Sequence, residues 1–389
     1  MAKLGEVCDI LNGYAFKSNQ YTTSGVRIIR ISNVQKGYIE DKSPVYYPCD
    51  DENVKKYELK QNDLLISLTG NVGRTALLEE KFLPAALNQR VSCVRLKEPD
   101  KVLKTYLFHL LNSDYFEQQC MKAAEGVAQK NLSPKWLFEY KIPIYSIERQ
   151  KEISNTLDKI DLLIILRKQQ LAKLDELVKA RFVEMFGDVL LNSMQWPEKT
   201  LENMADIVSG ITKGRKTAEA DLQEVPYMAV SNVKDGYIDW TTVKTILATR
   251  QEIEQYRLMP DDILMTEGGD PDKVGRGAII KVPLKNSIHQ NHIFRVRLDE
   301  QEILPSFFAE YLRHQKAKRY FLGCAKQTTG IASINMRQLR ALPTLVPPLS
   351  LQKQFAAFVE RVDQQKQTVQ QGLEKLELMK KALMQEYFG

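Results

Sequence analysis

IERQKEISNTLDKIDLLIILRKQQLAKLDELVKARFVEMFG, running from Ile147 to Gly187, decides how the rest of the chain is read. Alternate steps of four and three from Ile153 land on Leu157, Ile160, Ile164, Arg167, Leu171, Leu174, Val178, Arg181 and Met185, and eight of these ten positions are apolar. With Lys, Glu and Asp between them, this spacing predicts a long helix that needs a partner helix along one narrow seam. The partner lies in the same chain. Adding 202 to each position gives Phe355, Val359, Val362, Lys366, Val369, Leu373, Leu376, Lys380, Leu383 and Tyr387, again eight apolar of ten. Phe388-Gly389 ends the second stretch as Phe186-Gly187 ends the first. One such stripe is equally well an ordinary core helix, but two copies at a fixed offset point to a duplicated architecture.

The sequences between the helices repeat as well. Ser32-Asn33-Val34 and Gly37-Tyr38-Ile39 return as Ser231-Asn232-Val233 and Gly236-Tyr237-Ile238, at an offset of 199. Alternating Val26, Ile28, Ile29 and Ile31 ahead of this element reads as a strand entering a turn. LKQNDLLISLTGNVGRTALL and LMPDDILMTEGGDPDKVGRGAII each read as strand, Gly-rich loop and strand. Neither loop matches GxxxxGK[ST] and neither leads into a helix, so the glycines are read as turn formers, with phosphate contact from Arg74, Lys273 and Arg276 as the second reading.

ALNQRVSCVRL and SIHQNHIFRVRL follow as strands, each preceded by a cluster of amide and basic side chains. His289 and His292 have HxxH spacing, but on a strand the two side chains face opposite ways, so no metal site is expected. Asn88, Gln89, Arg90, Gln290, Asn291 and His292 either read base edges or cap a strand, and the sequence leaves both open. A helical stretch comes next in each half, where Lys316, Lys318 and Arg319 read as a solvated face. Polar loops then carry Gln129, Lys130 and Asn131 in one half and Thr328, Ser333 and Asn335 in the other, plausible DNA contacts beside Lys17, Lys213, Arg215 and Lys216 of the early loops. Ile142-Pro143 and Pro347-Pro348 stop each globular part before its long helix.

At 389 residues the chain has room for two or three domains, and its net charge of +6 permits a polyanion partner without demanding one. Cys8, Cys49, Cys93, Cys120 and Cys324 are scattered without a CxxC pair, which suggests reduced thiols in a cytoplasm. No signal-peptide pattern and no apolar run of about 18 residues is present, so no membrane association is expected.

Together these readings predict an α+β chain with residues 1–145 and 188–348 as similar mixed α/β, β-rich domains, and 146–187 and 349–389 as the long helices. A first helix of about 40 residues sets the domains up to roughly 60 Å apart. The second helix must then run backwards along the first, which predicts an antiparallel seam and an approximate two-fold internal repeat. The basic residues within it, Arg167, Arg181, Lys366 and Lys380, are read mainly as unpaired groups reaching out to water. Two similar but unlike heads on a stiff spacer suit duplex DNA, whose groove recurs every ~10 base pairs, and the two half-sites should differ as the heads do.

The residues also resemble a known family over essentially the whole chain. The early Gly13, Phe16 and Tyr21, the Ser-Asn-Val and Gly-Tyr-Ile element, the Asp63 to Gly73 strand and turn, and LSPKWLFEYKIPIYSIERQKEISNTLDKID are similar to the specificity (S) subunit of type I restriction-modification systems. The resemblance implies two target-recognition domains joined by antiparallel helices and an asymmetric bipartite target in double-stranded DNA. It also implies docking of two methyltransferase (M) subunits and, through them, restriction (R) subunits. The first half lacks a counterpart to Trp196-Pro197, and Tyr145-Ser146 stands where the second half has Pro347-Pro348.

A search for reacting groups finds no NPP[YF]-like tetrapeptide and no glycine-rich cofactor loop; Glu79-Glu80-Lys81 fits ExK by accident in a charged loop. The expectation is a non-catalytic subunit without cofactor or metal. A DNA-modifying enzyme with fused recognition domains and a coiled-coil scaffold with no DNA role are the alternatives.

Overall fold

The computed structural model describes residues 1–124, 130–215, 222–270, 273–328 and 331–389. Two long helices dominate it, α1 (Ile147–Phe186) and α2 (Leu349–Phe388). The chain divides into two compact units, Met1–Gln169 with Gln370–Gly389 and Gln170–Val369, so each unit holds one globular domain and a stretch of both long helices.

Within the first unit Lys380 of α2 pairs with Asp161 of α1, and Lys168 reaches Glu377 at 3.1 Å. Within the second, Lys366 meets Asp175 at 2.6 Å, and Phe182 and Phe186 pack on Phe355. Rising numbers on α1 meet falling numbers on α2 in both, so the paired stretches run antiparallel. Ile153, Leu157, Ile160, Ile164, Leu174, Val178, Phe355, Val362, Val369 and Leu373 are buried, while Leu171, Val359, Leu376 and Leu383 are half-buried. A fully buried aliphatic side chain contributes about 1.5–3 kcal/mol, whereas half-exposed ion pairs contribute about 0–1 kcal/mol. The apolar positions therefore hold the helices together and the ion pairs fix their register.

Two expectations about the seam are corrected. Lys366 and Lys380 do not reach out unpaired; each answers an aspartate across the seam. Arg181 pairs with Glu184 and lies over the Phe358 ring. The apolar stripe also slips by one residue at both helix ends, because Phe182 and Phe186 enter the second domain's core, and Met384 and Phe388 the first domain's. An α-helix turns in 3.6 residues and drifts off a strict 3.5 repeat, and docking into a core follows the drift.

Each domain is built around a four-stranded antiparallel sheet. In the first the order is Cys8–Asn12, Val91–Leu96, Leu64–Ser67, Thr75–Leu77; in the second, Ala205–Ser209, Ile293–Leu298, Ile263–Thr266, Gly277–Ile279. Beside it lies a second sheet in which one pair is parallel, Val26–Ile29 with Ala85–Leu87 in one domain and Gln223–Met228 with Ile288–His289 in the other. The predicted single strands over ALNQRVSCVRL and SIHQNHIFRVRL are thus each two strands in different sheets, with Asn88 to Arg90 and Gln290 to His292 at the crossover. Consequently the HxxH residues do not share a strand: His289 is in one and His292 in the turn after it.

The predicted helical stretches are likewise pairs, Lys104–Leu111 with Asp114–Ala123 and Pro305–Arg313 with Gln315–Cys324. Ser113 breaks the first pair by capping the second helix through the Phe116 N–H at 3.1 Å. Tyr106 and Tyr311 then donate to the carbonyls of Pro143 and Pro343, fixing the exit of each domain. A buried glutamine in the first turns of each long helix completes the join. Gln150 accepts the Leu103 N–H and donates to the carbonyls of Lys101 and Tyr145, and Gln352 accepts the Leu304 N–H and donates to those of Glu302 and Pro347.

Candidate nucleic-acid interface

Backbone hydrogen bonds gather the other loops of each domain around its crossover turn. In the first domain the Gln89 N–H donates to Tyr14, the Leu68 N–H to Arg90, the Gly70 N–H to Lys130 and the Leu132 N–H to Leu68, at 2.8–3.1 Å. Thr69 also donates to the Asn131 side chain at 2.9 Å. The second domain repeats the chain of contacts: Asn291 N–H to Ile211, Glu267 N–H to His292 and Ile334 N–H to Glu267, at 2.8–3.0 Å, with Gly268 opposite Ser333. Early loop, crossover turn, Gly-rich loop and late loop thus form one continuous edge from four distant stretches of sequence.

Glycine makes that closure possible. A Cβ on Gly13 would stand 2.1 Å from the Asn88 carbonyl oxygen, and one on Gly210 would stand 2.0 Å from that of His289. No side chain can occupy either place without pushing the crossover away.

Along the first edge Lys17, Gln89, Arg90 and Lys130 are exposed and Asn88 is buried. Along the second, Lys213 is exposed and Gln290 and Asn291 are half-buried, with the Gln290 oxygen held by the Val230 N–H at 3.4 Å. His292 faces Glu267 at 2.6 Å, and Lys273 is paired with Asp270. Ser333 is half-buried in the strand Ile331–Ser333, and Thr328 ends the strand Lys326–Thr328 that pairs with it, so the expected loop is a hairpin. Gln129 and Lys216 lie outside the described residues, as does the side chain of Thr328.

Three candidates, Arg215, Asn335 and Arg74, have their side chains committed elsewhere. Arg215 grips Glu252 through two nitrogens at 2.5 and 2.6 Å, and its guanidinium pulls the Glu252 carboxyl down to about 2. Asn335 caps the helix Met336–Arg340 by accepting the Gln338 N–H. Arg74 turns to Gln35 at 2.6 Å, and Arg276 is half-buried with its Nε unpartnered. Sequence does not distinguish Arg215 and Arg74 from free cations, because their partners lie 37 and 39 residues away.

His289 is fully buried, its ring nitrogens facing the carbonyls of Tyr256 and Val208 at 3.2 and 3.3 Å. Burial pushes it down to about 4, the two carbonyls holding back part of that shift, so it stays neutral at physiological pH. It is a core histidine and not a ligand. What sequence reading overlooked is a set of structural polar groups present in both domains: Asn33 and Asn232, Gln150 and Gln352, and the pairs Asp63 with Arg95 and Asp262 with Arg297. The signal was the internal repeat itself, since each occupies equivalent positions in the two halves.

Among the described residues no helix is long and apolar enough to cross a membrane. The type I restriction modification DNA specificity domain matches residues 1–176 and again 194–378. The specificity subunit of the type I restriction enzyme EcoKI from Escherichia coli K12 is 21% identical over 386 residues, covering 94% of this chain and 81% of its own. That of MjaVIII from Methanocaldococcus jannaschii is 32% identical over 186 residues, covering 46% and 43%. The crystal structure of a type I system S subunit from M. genitalium shares the fold with a TM-score of 0.58 at 16% identity, over 100% of this chain and 95% of that one. With two specificity domains in tandem, each carrying the edge described above, the chain belongs to the type I restriction-modification DNA specificity subunit family.

Proposed function

We propose that this chain chooses the DNA target of a type I restriction-modification complex and leaves the chemistry to other subunits. Residues 1–145 and 188–348 serve as target-recognition domains, and 146–187 and 349–389 as the helices between them. The observation that carries the reading is the duplicated edge whose framework is constant and whose side chains are not: Gln89-Arg90 in one copy stands where Asn291-His292 stands in the other. Amide and guanidinium groups are the side chains that match base edges, while lysines at the rim match phosphates. Unlike side chains on like frameworks imply two unlike half-sites, hence an asymmetric bipartite target in double-stranded DNA.

Two methyltransferase subunits, with restriction subunits bound through them, are the partners this reading requires, and the cytoplasm is where they and chromosomal DNA meet. The test is to map methylated adenines across the genome of a host carrying this chain with its methyltransferase subunit. The expected outcome is one bipartite, non-palindromic sequence that disappears when the chain is deleted. Cofactor-dependent methylation by the purified chain alone would refute the reading, and so would DNA affinity indifferent to salt.

A further inference from the structure

The two Gly-Tyr-Ile turns are built alike and present an aromatic ring that the fold does not use. Buried Asn33 accepts the Arg30 N–H and donates to the Glu40 carbonyl; buried Asn232 accepts the Ala229 N–H and donates to that of Asp239. Gly37 and Gly236 turn with φ of 91° and 85°, and their N–H groups are anchored to Thr75 and Gly277. At the tips, Tyr38 is 53% exposed and Tyr237 61% exposed. A single exposed ring is ordinary; a ring kept exposed on the same buried framework in both copies, while the side chains beside it change, is what singles out these two.

Beside the tips the charges are exchanged. Lys36 bridges to Asp114 and Glu117 of the neighbouring helix, whereas at the equivalent place Asp235 bridges to Lys318. The tether persists with its polarity reversed, while the tyrosine does not change. The charge directly beside the tyrosine is thus opposite at the two tips, while Lys234, Lys273 and Arg276 also line the concavity at Tyr237. Next to Tyr38, moreover, the ring continues into an open groove of about 660 Å³ that includes Phe108, Asp158 and the exposed Leu162 and Ile165 of α1.

We infer that Tyr38 and Tyr237 are equivalent anchor points for a protein partner bound twice by this chain, one copy per domain, and that this partner is the methyltransferase subunit. The inference rests on the proposed function. What differs between the domains reads different DNA, and what is constant and exposed meets the same partner twice. Tyr38 is the stronger anchor, because Leu162 and Ile165 flank it while the corresponding positions 202 residues on are Gln364 and Gln367.

The test uses the full chain with the methyltransferase subunit of the same system, with stoichiometry read by native mass spectrometry and DNA affinity by fluorescence anisotropy. Wild type should bind two copies. Tyr38→Ala and Tyr237→Ala should each weaken one copy by about tenfold or more, as loss of a central aromatic anchor does, with unchanged thermal melts because both rings are exposed. The double variant should weaken both copies, and Tyr38→Phe should keep wild-type binding. Two copies at wild-type affinity in the double variant would overturn the inference. Lost DNA affinity with methyltransferase binding intact would also overturn it, assigning the tips to DNA. A wild-type chain that binds no methyltransferase subunit would instead sink the proposed function itself.

Discussion

Gln352→Leu removes an amide that is 0% exposed and satisfies three backbone groups at once, the Leu304 N–H at 2.8 Å and the carbonyls of Pro347 at 2.8 Å and Glu302 at 3.2 Å. Leucine fills much of the same volume, so packing changes little and the loss isolates the polar term. A buried group left without a partner costs about 1–3 kcal/mol, and the carbonyls, with the longer contact at Glu302, fall at the low end. The sum is about 3–5 kcal/mol, a sizeable share of a domain's ~5–15 kcal/mol. For a unit of this size that corresponds to a fall in melting temperature of roughly 6–20 °C. Circular dichroism during thermal and urea unfolding measures it. Gln150→Leu should cost as much, because its three bonds are the same. Gln352→Glu adds a sign test: its second oxygen faces two carbonyls, so it must bind a proton to donate, and the variant should gain stability relative to wild type as pH falls. A loss below about 1 kcal/mol for Gln352→Leu would mean that water or backbone movement serves these groups, and would refute the reasoning.

Three further outcomes are expected. Lys130→Ala should weaken binding to all DNA alike and flatten its salt dependence, whereas Gln89→Ala, Arg90→Ala and Asn291→Ala should change preference at one half-site by about 1–3 kcal/mol, as competition binding with single-base variants would show. Gly13→Ala and Gly210→Ala should each destabilise by about 2 kcal/mol or more, because the new methyl meets a carbonyl oxygen at 2.1 or 2.0 Å, and urea titrations would detect it. His289, neutral when buried and held at about 4, binds its proton more readily unfolded, at 6.5. Its contribution is therefore complete above pH 6.5 and lost as pH falls toward 4, about 3 kcal/mol in all. Wild type should thus lose more stability than His289→Gln between pH 7 and 4.

Sequence alone determined the parts that depend on periodicity and on repetition. The seam from Ile153 to Val178 and from Phe355 to Leu373, its pairing within one chain and the antiparallel direction follow from spacing and chain continuity, which local physics imposes wherever the helices form. The duplicated strand-and-turn units follow for the same reason, each half having to bury the same pattern. Only tertiary structure decided which polar residues are free. Arg215 and Arg90 look alike in sequence, yet Glu252 takes the first while the second is exposed. Nor does alternation reveal that ALNQRVSCVRL changes sheets at Asn88, because both halves of the run are apolar and buried, and the break is set by Gly13 pressing against a backbone 75 residues away. Local pattern fixes what a stretch can form, and long-range contact fixes which of its polar groups are left to meet a partner.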